Sequence, residues 1–174
     1  MTRPWFPLAC ECILCLIPLN IYVIGDYLAT GVQWAFFRYQ ESPLGNSLIP
    51  LSRDATYVTG GVLVGSSAVS IILWIAGALL LLAALGLTIL ACAGKYPPLP
   101  DTKILIKTAG ALTISTALLF LFAMFVQYGL MLHSEHGLSI PLGVPIILVT
   151  GAWLLHGNVT GKAPCTRNEA EPLK

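Results

Sequence analysis

From Ala55 to Gly94 the chain carries no Asp, Glu, Lys or Arg, and the segment SIILWIAGALLLLAALGLTILACAG within it is almost wholly apolar. About 20 such residues suffice for a helix to cross roughly 30 Å of hydrocarbon. In lipid every backbone N–H and C=O must be paired inside the protein, which leaves helices and closed barrels. Barrel strands would alternate over about ten residues, whereas the apolar runs here are continuous. Composition points the same way. The chain is 56% hydrophobic and only 10% charged, against about 25% charged in an ordinary soluble domain. That leaves too few charged side chains to coat a water-facing surface.

Four runs qualify as spans, at about 7–24, 67–92, 104–132 and 138–156. Pro7 suits a first helical turn, and Pro18 is expected to bend the first span. Gly94-Lys95 followed by Pro97-Pro98 closes the second, and Asp101 or Thr102 caps the third. The first run lacks a small-x-small site before a polar start, so it reads as a span and not as a cleaved signal. The expected fold class is therefore all-α: a polytopic four-helix transmembrane bundle with a structured first extracytoplasmic loop, 26–66. Residues 1–157 form one transmembrane domain, and 158–174 a disordered cytoplasmic tail.

Four spans put both termini on one side. Arg3, Lys95, Lys103, Lys107, Lys162, Arg167 and Lys174 then face Arg38 and Arg53 across the membrane, which makes the terminal side cytoplasmic. Cys10, Cys12, Cys15, Cys92 and Cys165 all gather toward that reducing side, so no structural disulfide is expected. The sequon Asn158-Val-Thr160 lies there too, out of reach of glycosylation. Formal net charge is +1 with no basic run, which excludes a nucleic-acid partner.

Loop 26–66 has the most to say about function. Trp34, Phe37 and Tyr39 cluster around Arg38, with Glu41, Arg53 and Asp54 close in sequence. Aromatics beside an arginine suit either a cap at headgroup level or a surface for another membrane subunit or a lipid-like ligand. In the membrane, Glu11 is the clear ionisable residue, within reach of headgroups or of Lys95, Lys103 and Lys107, and Asn20 suits a hydrogen bond between helices. Cys10, Cys12 and Cys15, with Cys92 and His156, do not have the spacing of a zinc hairpin, and lipidation is an alternative role for them. His133, Glu135 and His136 are candidate metal ligands, but the ordinary reading is a polar turn. Small residues, including Gly61-x-x-x-Gly65, Gly77 and Gly110, indicate close helix packing.

No phosphate-binding loop, nucleophile elbow or zinc-protease motif occurs, and no catalytic residue or cofactor is assigned. The plan of four spans with a large first outer loop resembles claudins, but loop 26–66 has no cysteine and lacks their W-GLW-C-C pattern. The tetraspanin CCG motif is missing as well, and the residues assign the chain to no family. The expected function is a non-enzymatic membrane protein acting through helix packing and its aromatic outer loop, such as an accessory or assembly subunit. Its partners would be membrane lipids and other membrane subunits or itself. The alternatives are a membrane enzyme acting on a lipid or isoprenoid headgroup, and a small carrier or channel using Glu11 and Asn20.

Overall fold

The structure is a computed structural model that describes residues 5–25, 28–93, 102–134 and 137–157. It overturns the all-α expectation. Among the described residues there are five helices and a six-stranded antiparallel sheet. In chain order these are α1 (Trp5–Leu14), β1 (Asn20–Ile24), β2 (Ala29–Gln33), β3 (Phe37–Ser42), β4 (Gly45–Pro50), α2 (Leu51–Thr59), α3 (Gly65–Ala93), α4 (Thr102–Tyr128), β5 (His133–Ser134), β6 (Gly137–Pro141) and α5 (Gly143–His156).

Two of the expected spans divide into a short helix and a strand. The first, 7–24, is helical only to Leu14. Its last turn tightens as Leu16 N–H donates to the Ile13 carbonyl. Pro18 then has no N–H to continue the ladder and forces the residue before it away from helix. Beyond it, Ile21-Tyr22-Val23-Ile24 is β-branched and aromatic, the composition that favours strand. The fourth, 138–156, likewise begins as β6 and becomes helix only after Pro141. At about 1.5 Å per residue, α1 covers about 15 Å and α5 about 21 Å, both less than the roughly 30 Å of a hydrocarbon core.

The helices α3 and α4 differ in kind. With 29 and 27 residues, each is long and apolar enough to cross a membrane. A core helix of a soluble protein passes the same test of length but is mostly buried. Here only 33% of the most apolar window of α3, and 44% of that of α4, is buried. Ile72, Leu79, Leu82 and Ile89 of α3 and Leu118 and Phe122 of α4 stand exposed.

Between the two helices packing is close. Trp74 and Phe120 have ring centroids 4.6 Å apart, and Gly77 makes the room, since a Cβ there would strike the Phe120 ring. Gly110 of α4 lies against the Gly151 backbone of α5 in the same way. The Gly61-x-x-x-Gly65 motif is not a packing seam: Gly61 (φ +70°) and Gly65 (φ +64°) form the turn between α2 and α3, with open space around both.

The sheet has the order β4-β3-β2-β1-β6-β5 and packs on one end of the helices, over the first turns of α3 and the last turn of α4. The expected outer loop 26–66 and the sheet-side ends of the first and fourth expected spans therefore become one sheet, because β1 pairs with β2 on one side and with β6 on the other.

Candidate functional site

Register assigns every strand residue to a face, because directly opposed residues on antiparallel strands project from the same side. One row runs Ile140, Ile21, Val32, Tyr39, Leu48 across β6, β1, β2, β3 and β4. The rows on the other face run Asn20, Gln33, Arg38, Ile49 and Ser139, Tyr22, Gly31, Gln40, Ser47. A sheet covered on one side normally turns its apolar residues toward the cover. This one does the reverse over most of its width. Asn20, Tyr22, Gln33, Arg38, Gln40 and Ser139 face the helices, while Ile140, Ile21, Tyr39 and Leu48 face away and are 36–63% exposed.

The polar rows roof a cavity of about 390 Å³, within the size range of small-molecule sites. Tyr22, Gln33, Arg38 and Gln40 form the roof, and Asp54 of α2 and Leu63 close one side. From α3 come Ser67, Ser70, Ile71 and Trp74, spaced i, i+3, i+4, i+7 and so on one helical face. Gln127 and Tyr128 come from the last turn of α4.

Arg38 Nη2 donates to Asp54 Oδ1 at 2.7 Å, with side chains 17% and 5% exposed. Asp54 also lies in the first turn of α2, where the helix dipole favours a negative charge. Burial nevertheless raises its pKa above the ordinary carboxylate value, and the nearby guanidinium only partly opposes this. Burial raises the Tyr22 phenol as well, again against the pull of Arg38.

Around this pair the polar groups are partly bonded. Ser70 Oγ lies 2.9 Å from the Ala123 carbonyl, to which it donates, and 3.0 Å from the Gln127 side-chain amide. One hydroxyl proton cannot fully serve two acceptors, so a Gln127 turned to present its NH2 satisfies both contacts. Trp74 Nε1 donates to the Ala35 carbonyl at 3.1 Å. Among the described residues, neither Tyr22 Oη nor Arg38 Nε meets a hydrogen-bond partner, although both atoms are buried.

No known protein family matches the chain, and no curated protein is similar to it in sequence. The site thus stands on its geometry.

Of the residues singled out in loop 26–66, the structure brings Arg38 and Asp54 together and separates the rest. Trp34 and Phe37 stack on each other, with centroids 4.8 Å apart, at the β2–β3 connection. Tyr39 and Glu41 project from the outward face of β3. Arg53 is exposed on α2, its guanidinium 5.6 Å from the centre of the Tyr57 ring. Glu41 and Arg53 therefore do not join Arg38 and Asp54 in a four-residue site. The pair that does form is neutralised within itself.

Glu11 is fully buried, in place of the expected headgroup contact, and Thr113 Oγ1 lies 2.7 Å from its Oε1, tying α1 to α4. Asn20 bonds across strands and not across helices, donating from Nδ2 to Ser139 Oγ at 2.9 Å. His133 is exposed on β5, while Glu135 and His136 lie outside the described residues. Among the described residues no cluster of three or more His, Cys, Asp or Glu side chains is arranged for a metal, and no disulfide forms.

The cavity residues that the sequence reading missed are Tyr22, Gln33, Gln40, Ser67, Ser70 and Gln127. A signal was present in α3, where Ser67 and Ser70 share a face with Trp74 at helical spacing. Gln127 was another, an amide that ends the apolar run Ala117–Val126 of α4. For Tyr22 the signal was alternation with Asn20, which a helical reading of 7–24 concealed.

Proposed function

We propose that this is a non-enzymatic membrane protein whose α3 and α4 cross the bilayer and whose sheet engages another membrane protein on the extracytoplasmic side. One observation carries the reading: the row Ile140, Ile21, Val32, Tyr39, Leu48 on the sheet face turned away from the helices. Contiguous apolar surface of this kind marks a contact site.

Lipid is a poor occupant for it. At about 1.5 Å per residue the two long helices extend about 40–44 Å, more than the roughly 30 Å of hydrocarbon. The sheet sits on their ends, and the row points further away still. A protein surface is then the cover that removes it from water. Strand β4 adds an open edge whose side chains are mostly exposed, suited to an added strand from that partner. A membrane-anchored partner gains from being held at the same height above the bilayer, which raises its effective concentration.

Orientation follows from charge. Lys103 and Lys107 lie in the first turns of α4, at the end away from the sheet, and cytoplasmic segments are enriched in lysine and arginine. In this reading α1 begins, and α5 ends, toward the cytoplasm.

A photo-crosslinker placed at Ile21 in the native membrane tests the contact, with Leu79 as the lipid-facing control. The expected result is a discrete protein adduct at Ile21 that is lost with Val32→Glu, and lipid labelling at Leu79. Lipid labelling at both positions, or no protein adduct at Ile21, overturns the proposal. An adduct of twice the chain mass assigns the partner role to a second copy.

A further inference from the structure

We infer that the cavity between the sheet and the ends of α3 and α4 is a binding site for an uncharged amphiphile. Its hydroxyl or carbonyl oxygens would accept hydrogen bonds from Tyr22 Oη and Arg38 Nε, and its apolar part would lie along Leu63 and Ile71. This site is separate from the outward sheet face and does not depend on a protein partner.

The first support is the pair Tyr22 Oη and Arg38 Nε: both are buried and neither is in full hydrogen-bond geometry with a described residue, although the phenol lies within the pull of the guanidinium. A buried polar group without a full set of partners carries a desolvation cost. Phenylalanine at position 22 would keep the ring and its packing over Gly31 while removing that cost. A ligand oxygen that accepts from the hydroxyl would complete the bonding that the neighbouring Arg38 guanidinium gives only in part. Water can occupy the polar side of the cavity but leaves its apolar side unserved. Ile24, Leu63 and Ile71 among its lining residues offer water none of the several bonds that a buried water molecule makes, whereas an amphiphile covers them and serves the polar groups together.

The second support is charge. Arg38 and Asp54 lie 2.7 Å apart, so an anion drawn to the guanidinium meets the carboxylate, and a cation drawn to the carboxylate meets the guanidinium. The remaining polar groups are uncharged amides and hydroxyls: Gln33, Gln40, Gln127, Ser67 and Ser70. Such a lining recognises oxygens without selecting for charge. An ester carbonyl or hydroxyl reaches the site from two sources, a neutral lipid of the bilayer or a water-borne polyol.

The test uses the full chain in detergent micelles and three probes: 1-monooleoylglycerol, glycerol, and lysophosphatidic acid with the same acyl chain. Binding is read by isothermal calorimetry and by the shift in thermal unfolding. The expected result is saturable binding of monooleoylglycerol and weaker binding of the acidic lipid. Tyr22→Phe should weaken monooleoylglycerol binding about tenfold, the equivalent of one hydrogen bond, while the empty variant unfolds at the same or a higher temperature than the wild type. Ser67→Trp, which fills the cavity from α3, should abolish binding. Saturable binding of glycerol that both variants weaken supports the same site with a water-borne ligand. Equal or tighter binding of lysophosphatidic acid overturns the uncharged class. No saturable binding by any probe, or binding that neither variant alters, overturns the site.

Discussion

The two faces of the sheet come from the same strands and the same alternation, yet their chemistry is opposite. The face against the helices holds Asn20, Tyr22, Gln33, Arg38 and Gln40 over a cavity, and the face away from them holds Ile140, Ile21, Val32, Tyr39 and Leu48. A sheet that served only to seal the end of a helix bundle would have these sets exchanged. The inner face instead keeps buried polar groups, at a cost in stability, and the outer face leaves apolar side chains to be covered. Each departure from the stable arrangement points to something outside the chain: a small molecule under the sheet and a protein above it.

The contrast predicts that substitutions at the ion-paired and tightly packed positions of the inner face destabilise the fold and that those on the outer face do not. The largest effect is expected for Arg38→Met. It leaves the Asp54 charge buried without its counter-ion, which costs about 3–5 kcal/mol. Adding Asp54→Asn should restore most of that loss in denaturant titrations at neutral pH. If Arg38→Met unfolds like the wild type, the pair is not a buried element of the inner face.

Gly31→Ala comes next. Gly31 sits under the Tyr22 ring, and a Cβ there would run into that phenol and the Tyr39 carbonyl. Overpacking of this kind costs about 1–3 kcal/mol, and near-ultraviolet circular dichroism should show the tyrosine environment disturbed.

A smaller effect concerns pH. The pKa of Asp54 is raised on folding from its ordinary 3.8, so the folded chain holds that proton more tightly than the unfolded chain. Its contribution to stability is full below the unfolded pKa and is lost as pH rises through the folded value. The wild type should therefore lose stability relative to Asp54→Asn as pH is raised from about 4 toward neutral. An identical pH dependence of the two proteins would contradict the burial of this carboxyl.

The smallest effect belongs to the outer face. Ile21→Thr and Leu48→Thr remove exposed apolar groups and should change stability by no more than about 0.5 kcal/mol. Both should reduce the crosslinked adduct. A large loss of stability from either would mean that the outward row is part of this chain's own core.

Local sequence was enough for some of this. The uncharged run through Ser70–Ala93 and the apolar stretch after Lys107 can satisfy their backbones in only one way in lipid, and they form most of α3 and α4, long helices with lipid-compatible surfaces. Arg38 and Asp54 were legible only as two of four charged residues grouped in loop 26–66; that these two pair and leave Glu41 and Arg53 out was not.

The sheet was not legible, because its strands hide in two kinds of segment. Asn20–Ile24 and Gly137–Pro141 are apolar enough to pass as ends of helical spans, and only Pro18 and Pro141 hinted otherwise. Phe37–Ser42 alternates aromatic and polar residues, a pattern that reads equally as a mixed-face helix until a neighbour fixes the register. For β1 the neighbour is also far away in sequence: β1 must meet β6 before Asn20 can bond to Ser139, and no local periodicity encodes a pairing across more than a hundred residues. The tertiary fold alone decided which face each side chain took. A strand offers its two faces on equal terms, and only packing on the ends of α3 and α4 distinguishes inside from outside.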